Sequence, residues 1–167
     1  MAKIYIQEPV TKNELCVLSQ LALLEEEAFF KRNPYLEPLY CKRFIAAALC
    51  QGAALQYLGK GYGVADFDIH FFYKQNIDKP RLSRGIKIIT ADVGRFAQIW
   101  IDFIRTVIPM RLCLPNLRDD TELIQEFLKH RPTANAGYLC KRPVIGLIPN
   151  TLFSNIIWQG SDISRKD

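Results

Sequence analysis

Two aspartates spaced i, i+2 open an apolar run: Asp66 and Asp68 in VADFDIHFFY, residues 64–73. With the period of two that a strand imposes, Phe67, Ile69, Phe71 and Tyr73 form one face and Asp66, Asp68, His70 and Phe72 the other. The two carboxylates then stand side by side, roughly 6.5–7 Å apart at Cα. Asp is a poor strand residue, and like charges this close raise each other's pKa unless a cation lies between them. A third acid, Asp102, sits inside a second apolar run, AQIWIDFIRTVI, residues 97–108. A carboxylate in a strand buried on both faces is costly unless it is paired or metal-bound. Arg95 or Arg105 could supply the pair. Alternatively, Asp102 faces Asp66 and Asp68 and completes a cage for a hard divalent ion. Mg²⁺ (or Mn²⁺) takes such oxygen ligands and keeps positions open for substrate phosphates. Gly59, Gly61 and Gly63 form a flexible turn just ahead of the pair. Three carboxylates from two strands behind such a turn are what two-metal phosphoryl or nucleotidyl transfer needs.

The elements around these residues follow from pattern. A first helix is predicted over 11–32, with Thr11 and Glu14 at capping-box spacing and a stripe of Leu15, Leu18, Ala22 and Phe29. Glu25, Glu26 and Glu27 interrupt that stripe, so its last turns are expected to be exposed. Asn33-Pro34 ends it. A second helix is predicted over 38–50, PLYCKRFIAAALC, and a short one over 53–58. Strands follow over 64–73, 86–90 and 97–108. A helix over 121–130 has Asp119 and Asp120 at its positive end. RPVIGLIP holds a short buried strand, and TLFSNIIW a short helix or strand. Helices ahead of a strand cluster, then mixed elements, predict an α+β fold. The chain divides as a single domain, 1–167, with a helical N-terminal part (11–50), a metal- and nucleotide-binding core (51–109) and a C-terminal helix and strand part (110–167).

Composition sets the bounds. The 167 residues are 49% hydrophobic and 23% charged, which excludes disordered, collagenous and low-complexity classes. No run of about 18 apolar residues is present, so no membrane partner is expected. The start, MAKIYIQEPV, does not read as a secretory leader. Cys16, Cys41, Cys50, Cys113 and Cys140 show no CxxC pair, which fits reduced thiols in the cytoplasm better than disulfides or zinc. Two histidines exclude most His-rich metallohydrolases. The net charge of +5 permits a polyanionic partner without requiring one.

Residues 49–72, LCQGAALQYLGKGYGVADFDIHFF, resemble the signature of the DNA polymerase β-like nucleotidyltransferase superfamily. There a hydrophobic residue precedes Gly-Gly or Gly-Ser, a short helix follows, and an acidic-x-acidic pair opens a strand. The abortive-infection nucleotidyltransferase (toxin) group is the most similar subtype. The resemblance spans about 40–109 and leaves the C-terminal third unmatched. It implies a mixed sheet of the nucleotidyltransferase type with the N-terminal helices packed on it. It also implies that Asp66 and Asp68 bind both Mg²⁺ ions and the nucleotide phosphates, and that Asp102 holds the second ion and helps deprotonate the attacking hydroxyl. Nucleotide binding falls to Gly52, Ala53 and Lys60. The implied reaction moves a nucleoside monophosphate from a nucleoside triphosphate to a hydroxyl of RNA, a protein or a small molecule. In a bacterial toxin–antitoxin or defence system, the implied partner is a cognate antitoxin. Gln51 replaces the family's first glycine and Ala53 its Ser or Thr, a departure that fits a degenerate, binding-only member.

Other residues carry weaker signals. Lys79, Arg81, Arg84 and Lys87, and the group Lys129, His130, Arg131, Lys141 and Arg142, could meet phosphates, though a solvated surface is the commoner role of such residues. His70 shares the aspartate face and suits a supporting hydrogen bond. Tyr57 and Tyr62 could stack a base or simply pack. Lys87 without a preceding acid makes a metal-dependent nuclease the weaker enzymatic alternative.

Overall fold

The computed structural model describes residues 4–78, 82, 84–113 and 119–161, with the backbone alone at 113. Helix α1, Lys12–Arg32, starts at the predicted cap: the Thr11 side chain accepts from Asn13 N, and Glu14 Oε1 accepts from Thr11 N at 2.7 Å. A single-turn helix α2, Glu37–Tyr40, and a 3₁₀ turn lead into strand β1, Phe44–Cys50. Helix α3, Gln51–Tyr57, follows directly, then β2, Asp66–Lys74. Strands β3, Lys87–Val93, and β4, Phe96–Ile108, form a hairpin. Short helix α4, Met110–Cys113, helix α5, Asp120–His130, and helix α6, Ala134–Leu139, precede β5, Val144–Ile148, and β6, Ile156–Trp158.

The six strands make one mixed sheet of order β3-β4-β2-β1-β5-β6, in which β2 and β4 run parallel and their other neighbours antiparallel. The fold is α+β. One face packs on α1 through Phe67, Ile69, Phe71 and Tyr73 of β2 and Ile101 and Phe103 of β4. The other packs on α5 and α6, where Phe72 and Ile108 meet Phe127, Leu128 and Leu139. The aspartate face of β2 is therefore this second face, and at its Asp66 end the helices leave it open.

Two expectations fail. The stretch 44–50 is a strand, not the end of a helix. Alanine favours helix in isolation, but Ala46, Ala47 and Ala48 are fully buried between β2 and β5, with one core on each face of the sheet. Pairing along both edges decides the conformation, and small side chains suit a strand packed on both sides. The helical N-terminal part thus ends before residue 44.

The last turns of α1 are not uniformly exposed either. Glu25 is buried and meets Arg105 Nη1 at 3.2 Å, while Glu26 meets Arg105 Nη2 at 3.6 Å. The guanidinium lies 3.6 Å from the Phe29 ring centre and 4.6 Å from that of Phe71. An arginine 1% exposed needs these carboxylates beside it. Among the described residues, no helix is long and apolar enough to cross a membrane.

Candidate metal centre and adjoining cleft

The parallel ladder of β2 and β4 builds the site. Asp68 stands opposite Asp102, and Asp66 opposite Trp100. Each acid projects to the α5/α6 face by strand alternation. One carboxylate oxygen from each of Asp66, Asp68 and Asp102 lies within 4.8 Å of the other two, and all three residues are partly exposed. The arginines that could have claimed Asp102 are committed elsewhere: Arg105 to Glu25 and Glu26 on the opposite face, Arg95 to Glu8 at 3.4 Å. Trp100 and Ile88, which neighbour Asp66 and Asp102 in the ladder, are each more than half exposed, so the sheet beside the acids is accessible.

The donor set suits a hard divalent cation. It is all carboxylate oxygen, with no thiolate or imidazole to favour a softer ion. Opposed ligands on Mg²⁺ stand about 4.2 Å apart and adjacent ones about 3 Å, so the three carboxylates must draw closer together to share one ion. Among the described residues, these three acids form the one group able to hold a metal.

A cleft of about 720 Å³ adjoins the acids. Asp66 and Asp68 line it together with Gln51, Gly52 and Ala53 from the start of α3. A Cβ built on Gly52 would meet nothing within 4 Å, so its backbone faces open space. Residues 5–7 add a wall, held by paired bonds between Ile6 and Val64 at 2.9 and 2.8 Å. Gly63, at φ +117, permits this: a Cβ there would stand 2.9 Å from Ile6 O. Gln56 Oε1 accepts from Gly63 N at 3.0 Å and Gln7 Nε2 donates to Tyr62 O at 2.5 Å, so the glycine turn is fastened at several points.

Tyr138, Lys141 and Arg142, on α6 and the turn after it, also line the cleft. The α6 helix was not expected from the sequence. Its N-cap Thr133, 3.2 Å from Ala136 N, was the available signal. For Lys141 and Arg142 the sequence leaves open both a phosphate contact and a solvated surface. Their place on the cleft depends on a sheet and helix packing that no local pattern reports.

His70 lies deeper on the aspartate face, 1% exposed. Its Nδ1 is 3.3 Å from Thr106 Oγ1, which accepts from Asn135 Nδ2 of α6 at 2.8 Å. Burial, helped by the Arg84 charge, pushes the His70 pKa down to about 3, so the ring is neutral. Its hydrogen bond thus ties β2 to Thr106 of β4. Burial next to Asp68 pushes the Cys50 thiol up, so it is a protonated core residue.

The other candidates fall as follows. Lys60 is exposed on the glycine turn and is not among the residues lining the cleft. Tyr62 lines it; Tyr57 packs against the core. Lys129 and Arg131 border a separate groove beside β6, and His130 pairs with Glu126 at 2.6 Å. Lys79 and Arg81 lie outside the described residues. Of the cysteines, Cys16 and Cys41 are exposed and Cys140, like Cys50, is buried. The chain matches no known protein family, no curated protein and no solved structure.

Proposed function

We propose that this cleft transfers a nucleoside monophosphate from a nucleoside triphosphate to a hydroxyl, with Mg²⁺ or Mn²⁺ held by Asp66, Asp68 and Asp102. The observation that carries the reading is the approach of the three carboxylates within 4.8 Å of one another, two of them, Asp66 and Asp68, lining an open cleft. The order of parts also agrees with the nucleotidyltransferase superfamily that residues 49–72 resemble. A strand runs into a short helix beginning at Gln51-Gly52, an antiparallel strand carries the acid pair, and a strand parallel to it carries the third acid.

When bound, the divalent ion would neutralise charge on the transferring phosphoryl group and lower the pKa of the attacking hydroxyl. The chain's own residues do the rest. Lys141 and Arg142 line the same cleft as Asp66 and Asp68 and suit the phosphate tail. Gly52 lets a phosphate oxygen approach the backbone. Tyr62 and Tyr138 offer aromatic surfaces for a base. Asp102 would take the proton from the acceptor hydroxyl as its oxygen bonds to the α-phosphorus and pyrophosphate leaves. The accessible sheet face around Trp100 gives the acceptor a route that does not cross the cleft.

Incubation with labelled nucleoside triphosphates and Mg²⁺, following label transfer to RNA and protein and release of pyrophosphate, tests the reading. Turnover is expected from the wild type and not from Asp68→Ala or Asp102→Asn. Lys141→Ala is expected to fold normally and bind nucleotide about tenfold more weakly. Equal turnover by wild type and Asp68→Ala would dismiss the assignment. Ala53 favours a second reading, since it brings no hydroxyl to the cleft: nucleotide binding without turnover. Calorimetric binding with no pyrophosphate release would select it.

A further inference from the structure

Gln51 does not follow from the account so far. It occupies a left-handed backbone conformation, φ 64°, where glycine or asparagine is the usual occupant. It lines the cleft beside Gly52, Asp66 and Asp68. Its side-chain Nε2 is buried and has no hydrogen-bond partner. A glycine would relieve both the backbone strain and the desolvated donor. Two independent penalties thus meet at one residue of the cleft lining. Strain and unsatisfied polar groups of this kind gather where a ligand repays them.

We infer that the Gln51 side-chain amide is a specificity-determining group of the cleft, donating a hydrogen bond to an oxygen of the bound nucleotide. The inference rests on the nucleotide-binding reading above. The donor is directional and uncharged, so it complements Lys141 and Arg142, which attract anions without selecting among their oxygens. Beside it the backbone at Gly52 presents no Cβ obstacle, which leaves a ligand oxygen room to come near. The buried amide has to turn towards the cleft to make that bond. A ligand lacking that acceptor leaves the donor unpaired and binds less well.

Gln51→Gly and Gln51→Glu in the full chain separate this from a structural role. Gln51→Gly is expected to raise Tm by about 2–4 °C while weakening nucleoside triphosphate binding in Mg²⁺ about tenfold by calorimetry. Gln51→Glu keeps size and backbone strain but presents a carboxylate, and is expected to lose binding without the rise in Tm. Inorganic tripolyphosphate locates the acceptor oxygen. A matching loss places it on the phosphate tail; a loss confined to nucleotides places it on the sugar or base. Should Gln51→Gly bind nucleotide as tightly as wild type, or lose Tm and binding together, Gln51 is not a recognition group. If wild type still turns over and Asp68→Ala does not, the proposed function survives that failure. A wild type that binds no nucleotide overturns both.

Discussion

Asp68 and Asp102 are direct register partners in the parallel ladder between β2 and β4. Two carboxylates on adjacent strands, with Asp66 beside them, are drawn together by a shared divalent cation. Asp68→Asn is therefore expected to lose the rise in thermal midpoint that Mg²⁺ gives the wild type. Thermal melts with and without Mg²⁺ read the effect. An equal rise in Asp68→Asn would mean that Asp68 is not a ligand.

The frame behind the site makes a separate claim. Arg105 is fully buried on the α1 face, between Glu25, Glu26 and two aromatic rings, and Tyr73 donates to Glu26. Removing the guanidinium leaves Glu25 to Arg32, at 2.8 Å, and Glu26 to Tyr73 alone, and burial already pushes Glu26 above its ordinary pKa. Arg105→Met is expected to cost about 3–5 kcal/mol in urea unfolding. A loss below about 1 kcal/mol would show that the pair contributes little to holding α1 on the sheet.

How much of this could be read from the chain varies by element. The alternation in 64–73 and the length of 97–108 identify both strands, and alternation alone places Asp66, Asp68 and His70 on one face. The meeting of Asp102 with that pair requires the parallel register, which is long-range. At 44–50 local propensity pointed the wrong way, because Ala-rich segments are helical until two neighbouring strands claim their backbone. Glu25 looked like a break in the α1 stripe because its partner, Arg105, is distant in sequence. Tyr138, Lys141 and Arg142 carry no motif, and only the packing of α6 on the second face brings them to the cleft that Asp66 and Asp68 line.

His70 gives the site a pH dependence of known sign. In the unfolded chain it titrates near 6.5, but in the fold it stays neutral down to about 3. Between those values the unfolded state binds a proton that the native state refuses. The stability contribution is thus complete above pH 6.5 and is lost as pH falls towards 3. From pH 7.5 to pH 5 the loss assigned to this residue is about 2 kcal/mol. His70→Gln should flatten that part of the profile in urea unfolding at the two pH values. An unchanged slope would mean that another group carries it.

The central claim is that Asp66, Asp68 and Asp102 together hold a divalent ion. Electron paramagnetic resonance of Mn²⁺ titrated into the wild type and into Asp102→Asn tests it most directly. Wild type is expected to quench the free-ion signal at stoichiometric concentrations, with Mg²⁺ in excess restoring it, and Asp102→Asn to bind at least tenfold more weakly. Wild type and Asp102→Asn binding Mn²⁺ alike, or neither binding it, would contradict the account.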